Sequence, residues 1–329
     1  MRYVLGVDGG GSKTDMLLCR EDGAYCGRTV VGGSNHQLVG MKKAKETLLS
    51  GMDKLLKDCG TEKKELAYIC LGLSGADFPE DITALERELI PWFGSVPCMV
   101  LNDVWLPLEA MVPTGAGAVS ICGTGHNTAV RGADESRYQI AALNYELGNW
   151  GGGHMMTRHA LHAAIRSAEH TGDRTALEDA LPAAYGFGSM LEVQKHLYLT
   201  GERDIYDVNV PHIVSGLAKD GDAVCIRLLR NDGTTQAEMT AGLLRHAGLL
   251  DAELPVVLAG SMYLKDASGI MRDTYGETLS GVCPGARLIE LDRPPVIGAV
   301  LLSLSSAGML NDENERRILD YGTRKEQAS

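Results

Sequence analysis

The order of predicted strands and helices occurs twice along the chain, and this repetition restricts the possible folds more than any other feature. Five short apolar segments predict strands in the first part of the chain, at residues 2–7, 16–20, 25–31, 66–73 and 96–101. Segments with helical spacing of apolar residues follow the last three of these strands, at residues 37–57, 81–90 and 104–112. The first part therefore has the order βββαβαβα.

The second part of the chain repeats this order with a long helical block after its third strand. Its predicted strands are residues 117–122, 128–131, 138–143, 255–259 and 287–291. Its predicted helices are a block from about 153 to 248, then residues 264–279 and 295–306. A repeat of this kind indicates an internal duplication of one architectural unit.

The sequence thus predicts an α/β protein with two similar units, as the length of 329 residues also suggests. We predict an N-terminal domain at 1–113, completed by the helix at 294–310, and a second domain at 114–293 with a helical insertion at 153–250. Residues 311–329 form a charged tail that we expect to fray. Two such units side by side would leave a cleft between them, where ligands commonly bind.

The net charge of −12 argues against a nucleic-acid partner, because contacts with phosphates of DNA or RNA need a basic surface. It does not exclude ATP, because backbone N–H groups alone can form a small phosphate pocket. No apolar run reaches the ~18 residues of a membrane span, and no signal peptide is recognisable, so we expect a cytoplasmic protein without a membrane partner. Eight cysteines without a Cys-x-x-Cys pair predict free thiols and argue against a cysteine-bound metal or iron–sulfur site within one chain.

Three consecutive glycines between the first two predicted strands are the strongest functional signal. They belong to the segment DGGGSKT at residues 8–14. Glycines let backbone N–H groups crowd around an anion without clashes from Cβ atoms, whereas a plain hairpin turn needs only one or two. Asp8 can hold a hydrated Mg²⁺. The predicted phosphate-binding residues are Gly9, Gly10, Gly11, Ser12, Lys13 and Thr14.

Two other phosphate-binding motifs do not fit this segment. Gly6 and Gly11 have the spacing of a Walker loop, but Ser12 stands where the lysine of that motif should follow. Walker and dinucleotide-binding loops also open a helix, whereas this segment is predicted to open a strand.

A second glycine turn, Gly123-Thr124-Gly125, lies at the corresponding point of the second unit, between its first two strands. Alone, this tripeptide is a weak signal. Paired with the first turn in a duplicated unit, it predicts that one glycine hairpin from each unit binds the phosphates.

Polar residues follow two other predicted strands. Asp103 comes after the strand at 96–101 and suits a catalytic base for phosphoryl transfer, although its spacing equally fits a helix N-cap. Gly260-Ser261 ends the strand at 255–259, where glycine would let a flat base lie against the backbone. Ser261 is an equally good N-cap at that place.

Together these motifs resemble the sugar-kinase, actin and heat-shock chaperone superfamily, and within it the BadF/BadG/BcrA/BcrD-type ATPase family, which includes N-acetylglucosamine kinase. The similarity extends over nearly the whole chain. The matching segments are Asp8–Thr14, Ser34-Asn35-His36, Leu71–Asp77, Asn102-Asp103, Gly123-Thr124-Gly125, Gly260-Ser261 and Gly298-Ala299. The resemblance implies a duplicated ribonuclease H-like fold, as in actin-like ATPases.

The resemblance also implies roles for individual residues. Ser12 and Thr124 would contact ATP phosphates, Asn35 and Asp103 would contact sugar hydroxyls, and Gly260-Ser261 would contact the adenosine. It further implies ATP and Mg²⁺ as cofactors, a hinge that closes over both substrates, and usually a homodimer.

One row of residues departs from the family. Members typically have Leu-Gly-Asp-Glu-Gly-Ser-Gly before the long helix, whereas residues 147–153 read LGNWGGG here. Asn149 and Trp150 therefore replace the acidic pair that contacts the sugar. Asn149 can still hydrogen-bond a hydroxyl or an amide, and Trp150 can lie flat on a sugar ring or fill an apolar gap.

The predicted activity is transfer of the γ-phosphate of ATP to a hydroxyl of an amino sugar of the N-acetylglucosamine or glucosamine type. Asp103 acts as the base, and Asn35 and Asn149 orient the sugar. Two alternatives remain. One is an actin-like ATPase that activates a partner reductase through an iron–sulfur cluster held between two subunits. The other is a non-catalytic sugar sensor.

Overall fold

The computed structural model describes residues 1–200, 205–206 and 208–326. These residues form two compact units, one from Met1–Val119 together with the chain from Leu291 onward, and one from Ser120–Glu290. Within the described residues, no helix has both the length and the apolar character that crossing a membrane requires.

The first unit is built on a five-stranded sheet with the order β3-β2-β1-β4-β5. Its strands are β1 (Tyr3–Gly9), β2 (Lys13–Arg20), β3 (Tyr25–Gly32), β4 (Leu66–Leu73) and β5 (Cys98–Leu101). The first three strands are antiparallel neighbours, and β4 and β5 run parallel to β1. The helices are α1 (His36–Val39), α2 (Met41–Asp58), α3 (Pro79–Phe93) and α4 (Trp105–Met111).

The second unit repeats the arrangement, since its sheet has the order β10-β9-β6-β7-β8. Its strands are β6 (Gly117–Cys122), β7 (His126–Arg131), β8 (Arg137–Gln139), β9 (Leu254–Ala259) and β10 (Ala286–Glu290). Its helices are α5 (Gly153–Ala168), α6 (Leu177–Tyr185), α7 (Met190–Thr200), α8 (Val210–Lys219), α9 (Ala223–His246), α10 (Ser261–Leu264) and α11 (Ile270–Ser280). In both sheets the first strand is central, which confirms the predicted duplication.

Helix α12 (Val296–Ser306) returns to the first unit and packs against β1 and α4. Glycines make this approach possible. A Cβ atom on Gly298 would overlap the carbonyl oxygen of Leu106, and one on Gly6 would lie 2.8 Å from the backbone nitrogen of Val300. The sheet is consequently covered on both faces, with β1 alternating between the two layers. Leu5 and Val7 face α2 and α3, and Val4 faces α12.

The structure differs from the predicted elements at strand β8, which covers Arg137–Gln139 where residues 138–143 were predicted, and in three further places. The helix predicted at 37–57 is broken at Gly40, whose φ of 81° is outside the helical region, so α1 and α2 are separate. The helix predicted at 264–279 is likewise divided, because Gly269 has a φ of 72° just before α11. The third difference is the tail, which does not fray at its start but forms α13 (Asp312–Glu326). Ile318 anchors α13 in the core of the first unit, and Asn314 donates to the carbonyl oxygens of Glu21 and Met309.

Candidate nucleotide and acceptor sites

The glycine segment of the first unit is the turn between β1 and β2, as predicted. Asp8 pairs with Asp15 and Gly9 with Thr14 across the antiparallel ladder. The turn is closed by the N–H of Gly10, which donates to the carbonyl oxygen of Lys13 at 2.9 Å. Because the segment opens a strand, it differs from a Walker loop in structure as well as in sequence.

Two neighbouring segments press against this turn and explain part of its glycine content. The N–H of Ser74 donates to the carbonyl oxygen of Gly9 at 2.8 Å, and the N–H of Ser34 donates to that of Gly10 at 3.0 Å. A Cβ atom on Gly9 would lie 2.5 Å from a methyl group of Leu73, whereas one on Gly10 or Gly11 would come no closer than 3.1 Å to its nearest neighbour. None of the three has a positive φ, so Gly9 is required for space.

The side chains of the turn divide into exposed and buried groups. Ser12 and Lys13 are exposed, so the hydroxyl and the ammonium group are accessible to a ligand. Thr14 is fully buried, with Oγ1 at 2.9 Å from the carbonyl oxygen of Gly32 and 2.8 Å from Oγ of Ser34. The position of Thr14 therefore fits a supporting role for the turn, in contrast to the ligand contact predicted from sequence.

Asp8 lies at the end of β1 beside the turn. Burial, together with the neighbouring carboxyl of Asp15, raises its pKa to about 7, although Lys13 and Arg28 oppose the shift. The Asp8 carboxyl accepts no hydrogen bond from any described residue, so it fits a cation that brings its own water ligands. Within the described parts of the chain, no group of three or more His, Cys, Asp or Glu side chains is arranged to hold a metal ion.

Asp103 lies in the turn between β5 and α4. Burial raises its pKa to about 8, with smaller contributions from the carboxyls of Asp8 and Asp77, against the opposing effect of backbone N–H groups. The turn itself is closed by Asn102, whose Oδ1 accepts the N–H of Val104 at 2.9 Å. The structure thus brings Asp8 and Asp103, the two carboxyls singled out in the sequence, into one electrostatic cluster together with Asp77.

Asn35 is nearly buried and caps α1, because its Oδ1 accepts the N–H of Gln37 at 2.9 Å. Its Nδ2 donates to Oγ of Ser74 at 3.0 Å. Gln37 in turn donates from Nε2 to Asp77. The sequence did not identify Gln37 or Asp77 as functional residues, because the 38- to 40-residue separations of these contacts cannot be read from local patterns.

The second glycine turn joins β6 and β7 and is held by the start of α5. The N–H of Gly123 donates to the carbonyl oxygen of Gly125 at 2.9 Å. The N–H groups of Gly153 and His154 donate to the carbonyl oxygens of Gly123 and Thr124 at 2.8 and 3.1 Å. Thr124 is exposed at the tip of the turn. In contrast to Thr14, its hydroxyl is accessible to a ligand.

Gly260 packs on the end of β6. Its φ is 91°, and a Cβ atom would overlap the carbonyl oxygen of Cys122. Gly260, and not Ser261, occupies the N-cap position of α10. Ser261 is exposed and lines a pocket of about 330 Å³ together with Gly123, Thr124 and Gly153. The structure thus joins the second predicted phosphate turn and the predicted adenosine contact in one pocket of the second unit.

An aromatic side chain that sequence reasoning missed forms another wall of this pocket. The ring of Tyr206 stacks on His154 with centroids 3.9 Å apart, and Nε of Arg158 donates to its hydroxyl at 3.0 Å. Burial and the nearby Arg158 lower the pKa of His154. A stacked neutral ring pair is a suitable surface for a planar heterocycle.

The two residues that replace the family's acidic pair are both bound within the second unit. Nδ2 of Asn149 donates to the carbonyl oxygens of His126 and Leu143 at 2.9 and 3.0 Å, which uses both amide hydrogens. Nε1 of Trp150 donates to Oδ1 of Asp232 at 3.0 Å. Asp232 is fully buried, and its Oδ2 has no hydrogen-bond partner among the described residues. Burial raises the pKa of Asp232 to about 7.

A duplicated α/β sheet with a glycine hairpin in each unit is the fold that sugar kinases and actin-like ATPases share. Residues 5–303 match the BadF/BadG/BcrA/BcrD ATPase family, and the chain belongs to that family.

Curated relatives and solved structures extend this similarity over nearly the whole chain. An N-acetylmuramic acid/N-acetylglucosamine kinase of Clostridium acetobutylicum is 24% identical over 93% of this chain and 99% of the relative. An N-acetyl-D-glucosamine kinase of Dictyostelium discoideum is 23% identical over 92% of this chain and 98% of the relative. A ROK family glucokinase from Streptomyces griseus, solved with glucose and AMPPNP, has a TM-score of 0.56 at 17% identity, covering 92% of this chain and 98% of that one.

Proposed function

We propose that this protein is an ATP-dependent kinase that transfers the γ-phosphate of ATP to a hydroxyl of an amino sugar of the N-acetylglucosamine or glucosamine type. The observation that carries the proposal is the arrangement in the first unit. There, Asp103 and Asn35 belong to segments that are joined by hydrogen bonds and that adjoin the glycine turn. The two curated relatives, both named as kinases of N-acetylated amino sugars, support the same substrate class.

In this proposal Asp103 orients the acceptor hydroxyl and takes its proton. A pKa near the working pH suits a base, because the carboxylate form is still populated while its affinity for the proton that the hydroxyl gives up is increased. Phosphoryl transfer depends mainly on positioning and on charge stabilisation, so a single well-placed carboxylate is sufficient on the protein's side. Asn35 has one N–H and one lone pair beyond its contacts within the protein, and these are suited to a sugar hydroxyl.

In this proposal each unit supplies its own contacts to the nucleotide. Backbone N–H groups of Gly9–Gly11, the hydroxyl of Ser12 and the ammonium group of Lys13 bind phosphates in the first unit. Thr124 and the backbone of its turn do so in the second. Ser261, Gly260 and Tyr206 line the region assigned to the adenosine. Asp8 would hold a hydrated Mg²⁺, which supplies positive charge to the phosphates.

Asn149 and Trp150 are assigned to the sugar side of the site, but through different means from the family's acidic pair. Asn149 fixes the backbone before α5 in the second unit by its contacts with His126 and Leu143. Trp150 offers its ring surface, because its N–H is already bound to Asp232. We further propose that the protein works in the cytoplasm as a homodimer and binds no nucleic acid; light scattering after gel filtration tests the dimer.

The test is a coupled assay of ADP release with Mg·ATP and a panel of amino sugars, N-acetylated sugars and plain hexoses. Stimulation by one amino sugar, with a phosphorylated sugar identified by mass spectrometry, is the expected result. Stimulation by plain hexoses alone would contradict the substrate class. Loss of turnover in Asp103→Asn ties the activity to the proposed site.

A second candidate is an ATPase that acts on a partner protein. It is favoured by one observation, namely that Asn149 and Trp150 are both bound within the protein at the positions where the family contacts its sugar. Slow ATP hydrolysis that no sugar stimulates, but that is still lost in Asp103→Asn, would support this candidate over the kinase.

A further inference from the structure

We propose that Gln37 and Asp77 are positioning residues, which hold the acceptor contact Asn35 and the base Asp103 in a fixed relation to each other. The inference rests on the proposed function and goes beyond it, because neither residue touches the reacting atoms. It concerns a continuous network of hydrogen bonds within the first unit. The two ends of this network are the segments that carry Asn35 and Asp103.

The end of this network that lies at the proposed sugar contact is the short segment at the start of α1. The side chain of Asn35 is clamped at both of its polar atoms, since Oδ1 accepts the N–H of Gln37 at 2.9 Å and Nδ2 donates to Ser74 at 3.0 Å. Gly75 permits this closeness, because a Cβ atom there would lie only 2.7 Å from Oδ1 of Asn35. A shift of the Gln37 backbone, whose N–H makes this contact, therefore displaces the amide that is proposed to contact the sugar.

The other end of this network is the turn that contains the proposed base, Asp103. Oδ1 of Asn102 accepts the N–H of Val104 at 2.9 Å, which fixes the backbone on either side of Asp103. Nδ2 of Asn102 donates to Oδ1 of Asp77 at 2.8 Å. Asp77 thus holds the side chain that closes the turn, and through it the direction in which the Asp103 carboxyl points.

The carboxylate of Asp77 lies in the middle of this network and accepts hydrogen bonds from both sides. While Oδ1 accepts from Asn102, Oδ2 accepts from Nε2 of Gln37 at 3.1 Å. The same Nε2 lies 3.1 Å from the carbonyl oxygen of Gly75, so Gln37 is fixed in direction as well as in distance. Hydrogen bonds to an ionised carboxylate are among the stronger ones, and a displacement of about 1 Å at a reacting group can cost on the order of 100-fold in rate.

Packing alone does not account for these two side chains. Gln37 is exposed and Asp77 is half-buried, and neither belongs to the apolar clusters on the two faces of the sheet. Their substitution is therefore expected to change the geometry of the site with little loss of overall stability.

The experiment exchanges donor and acceptor between Gln37 and Asp77. Asp77→Asn removes one of the two carboxylate acceptors, and Gln37→Glu places a second carboxylate against Asp77. The double variant restores the contact between positions 37 and 77 with reversed polarity, because the introduced amide can donate to the introduced carboxylate and still accept from Asn102. It does not restore the hydrogen bond to the carbonyl oxygen of Gly75, because a carboxylate has no hydrogen to donate. Gln194→Glu is the matched control, since Gln194 donates to Glu169 at 3.0 Å in the second unit, outside the proposed site.

Steady-state kinetics with the sugar identified in the panel give the readout. Each single variant is expected to raise KM for the sugar and lower kcat, with kcat/KM reduced on the order of 10- to 100-fold and KM for ATP changed by less than about twofold. The double variant should recover part of this loss and exceed both single variants in kcat/KM, and Gln194→Glu should match wild type.

Three results would overturn the inference. They are single variants within about twofold of wild type, a double variant no better than the worse single one, and losses that simply follow a lowered melting temperature. Absence of sugar-dependent turnover in the wild-type protein is a separate outcome, which rejects the proposed function and this inference with it.

Discussion

The hairpins at residues 9–14 and 123–125 occupy the same place in the strand order of their units, yet the protein surrounds them very differently. A Cβ atom on Gly9 would lie 2.5 Å from Leu73, so the first hairpin is filled by its own unit. Cβ atoms on Gly123 and Gly125 would meet no other described atom within 4 Å, and neither residue has a positive φ.

The threonines of the two hairpins differ in the same sense. Thr14 is fully buried and hydrogen-bonded, whereas Thr124 is exposed and lines a pocket. One sequence motif therefore satisfies two different requirements in this protein. In the first hairpin part of the motif maintains the fold, and in the second its glycines leave space that the protein does not use.

The titratable groups are also divided unequally. The first unit gathers the carboxyls of Asp8, Asp77 and Asp103 next to its hairpin. The second unit instead places a buried polar layer under its hairpin, with Oγ of Ser120 at 3.1 Å from Nε2 of His126 and 2.9 Å from the hydroxyl of Tyr263. Burial lowers the pKa of His126 to about 4, so this layer is uncharged at neutral pH. Under the proposed function, the charge for catalysis would thus come from the first unit.

The largest expected effect is on kcat and comes from replacing the proposed base of the first unit. Asp103→Asn should reduce kcat by about 100- to 10,000-fold, the usual contribution of a general base, because the amide cannot take the proton of the acceptor. Nucleotide affinity, measured by calorimetry, should change by less than about threefold. Asp134→Asn, at an exposed site in the second unit, should have no effect on either quantity. A variant Asp103→Asn with wild-type kcat would remove the basis for the proposed base.

A smaller effect is expected from adding a methyl group to one glycine of each hairpin. Gly9→Ala should destabilise the protein by about 1–3 kcal/mol, because the added methyl group overpacks a filled site. Gly123→Ala should leave the melting temperature unchanged and weaken ATP binding, on the order of tenfold, because Gly123 lines the pocket and the methyl group enters space that is left for the nucleotide. Thermal unfolding and calorimetry separate the two results. Equal loss of stability in both variants would contradict the comparison.

The buried carboxyl of the second unit should produce a dependence of stability on pH. The pKa of Asp232 rises from its ordinary value of 3.8 to about 7 on folding. Its contribution to stability is therefore fully present below pH 3.8 and is lost as the pH rises to about 7, by up to about 4 kcal/mol. Asp232→Asn keeps an acceptor for Trp150 and should remove this decline. Denaturant unfolding between pH 4 and pH 8 measures it, and parallel curves for the two proteins would disprove the assignment.

The smallest effect concerns the two threonines. Thr14→Val should cost about 1–2 kcal/mol of stability, because a buried hydroxyl with two oxygen partners is lost. Thr124→Val should leave stability unchanged and raise KM for ATP a fewfold. Opposite results, with Thr124 important for stability and Thr14 for ATP, would reverse the roles assigned to the two hairpins.

Much of the fold could be predicted because it depends on local patterns. The duplicated strand order, the two glycine turns and Asp103 at the end of β5 all follow from apolar periodicity and turn residues. The helix breaks at Gly40 and Gly269 were missed, because apolar spacing continues through both positions while the backbone does not.

The parts of the site that could not be predicted depend on distant contacts. Trp150 binds Asp232 across 82 residues of sequence, and Arg158 binds Tyr206 across 48. Asn149 and Thr14 have residue types that suit a ligand, and only their hydrogen-bond partners in the structure reveal that the protein itself uses these groups. A residue type indicates what a side chain can bind, but not whether another group of the protein already binds it.

The close packing of α12 against β1 and α4 has a consequence for how the chain acquires its structure during synthesis. The first unit is interrupted by Ser120–Glu290, and its second apolar layer is supplied only when residues 296–306 have been made. At roughly 5–20 residues per second, the ribosome therefore exposes the uncovered face of the sheet, including Val4, Leu17 and Ala67, for many seconds. The first strands to emerge are among the last to be fully covered.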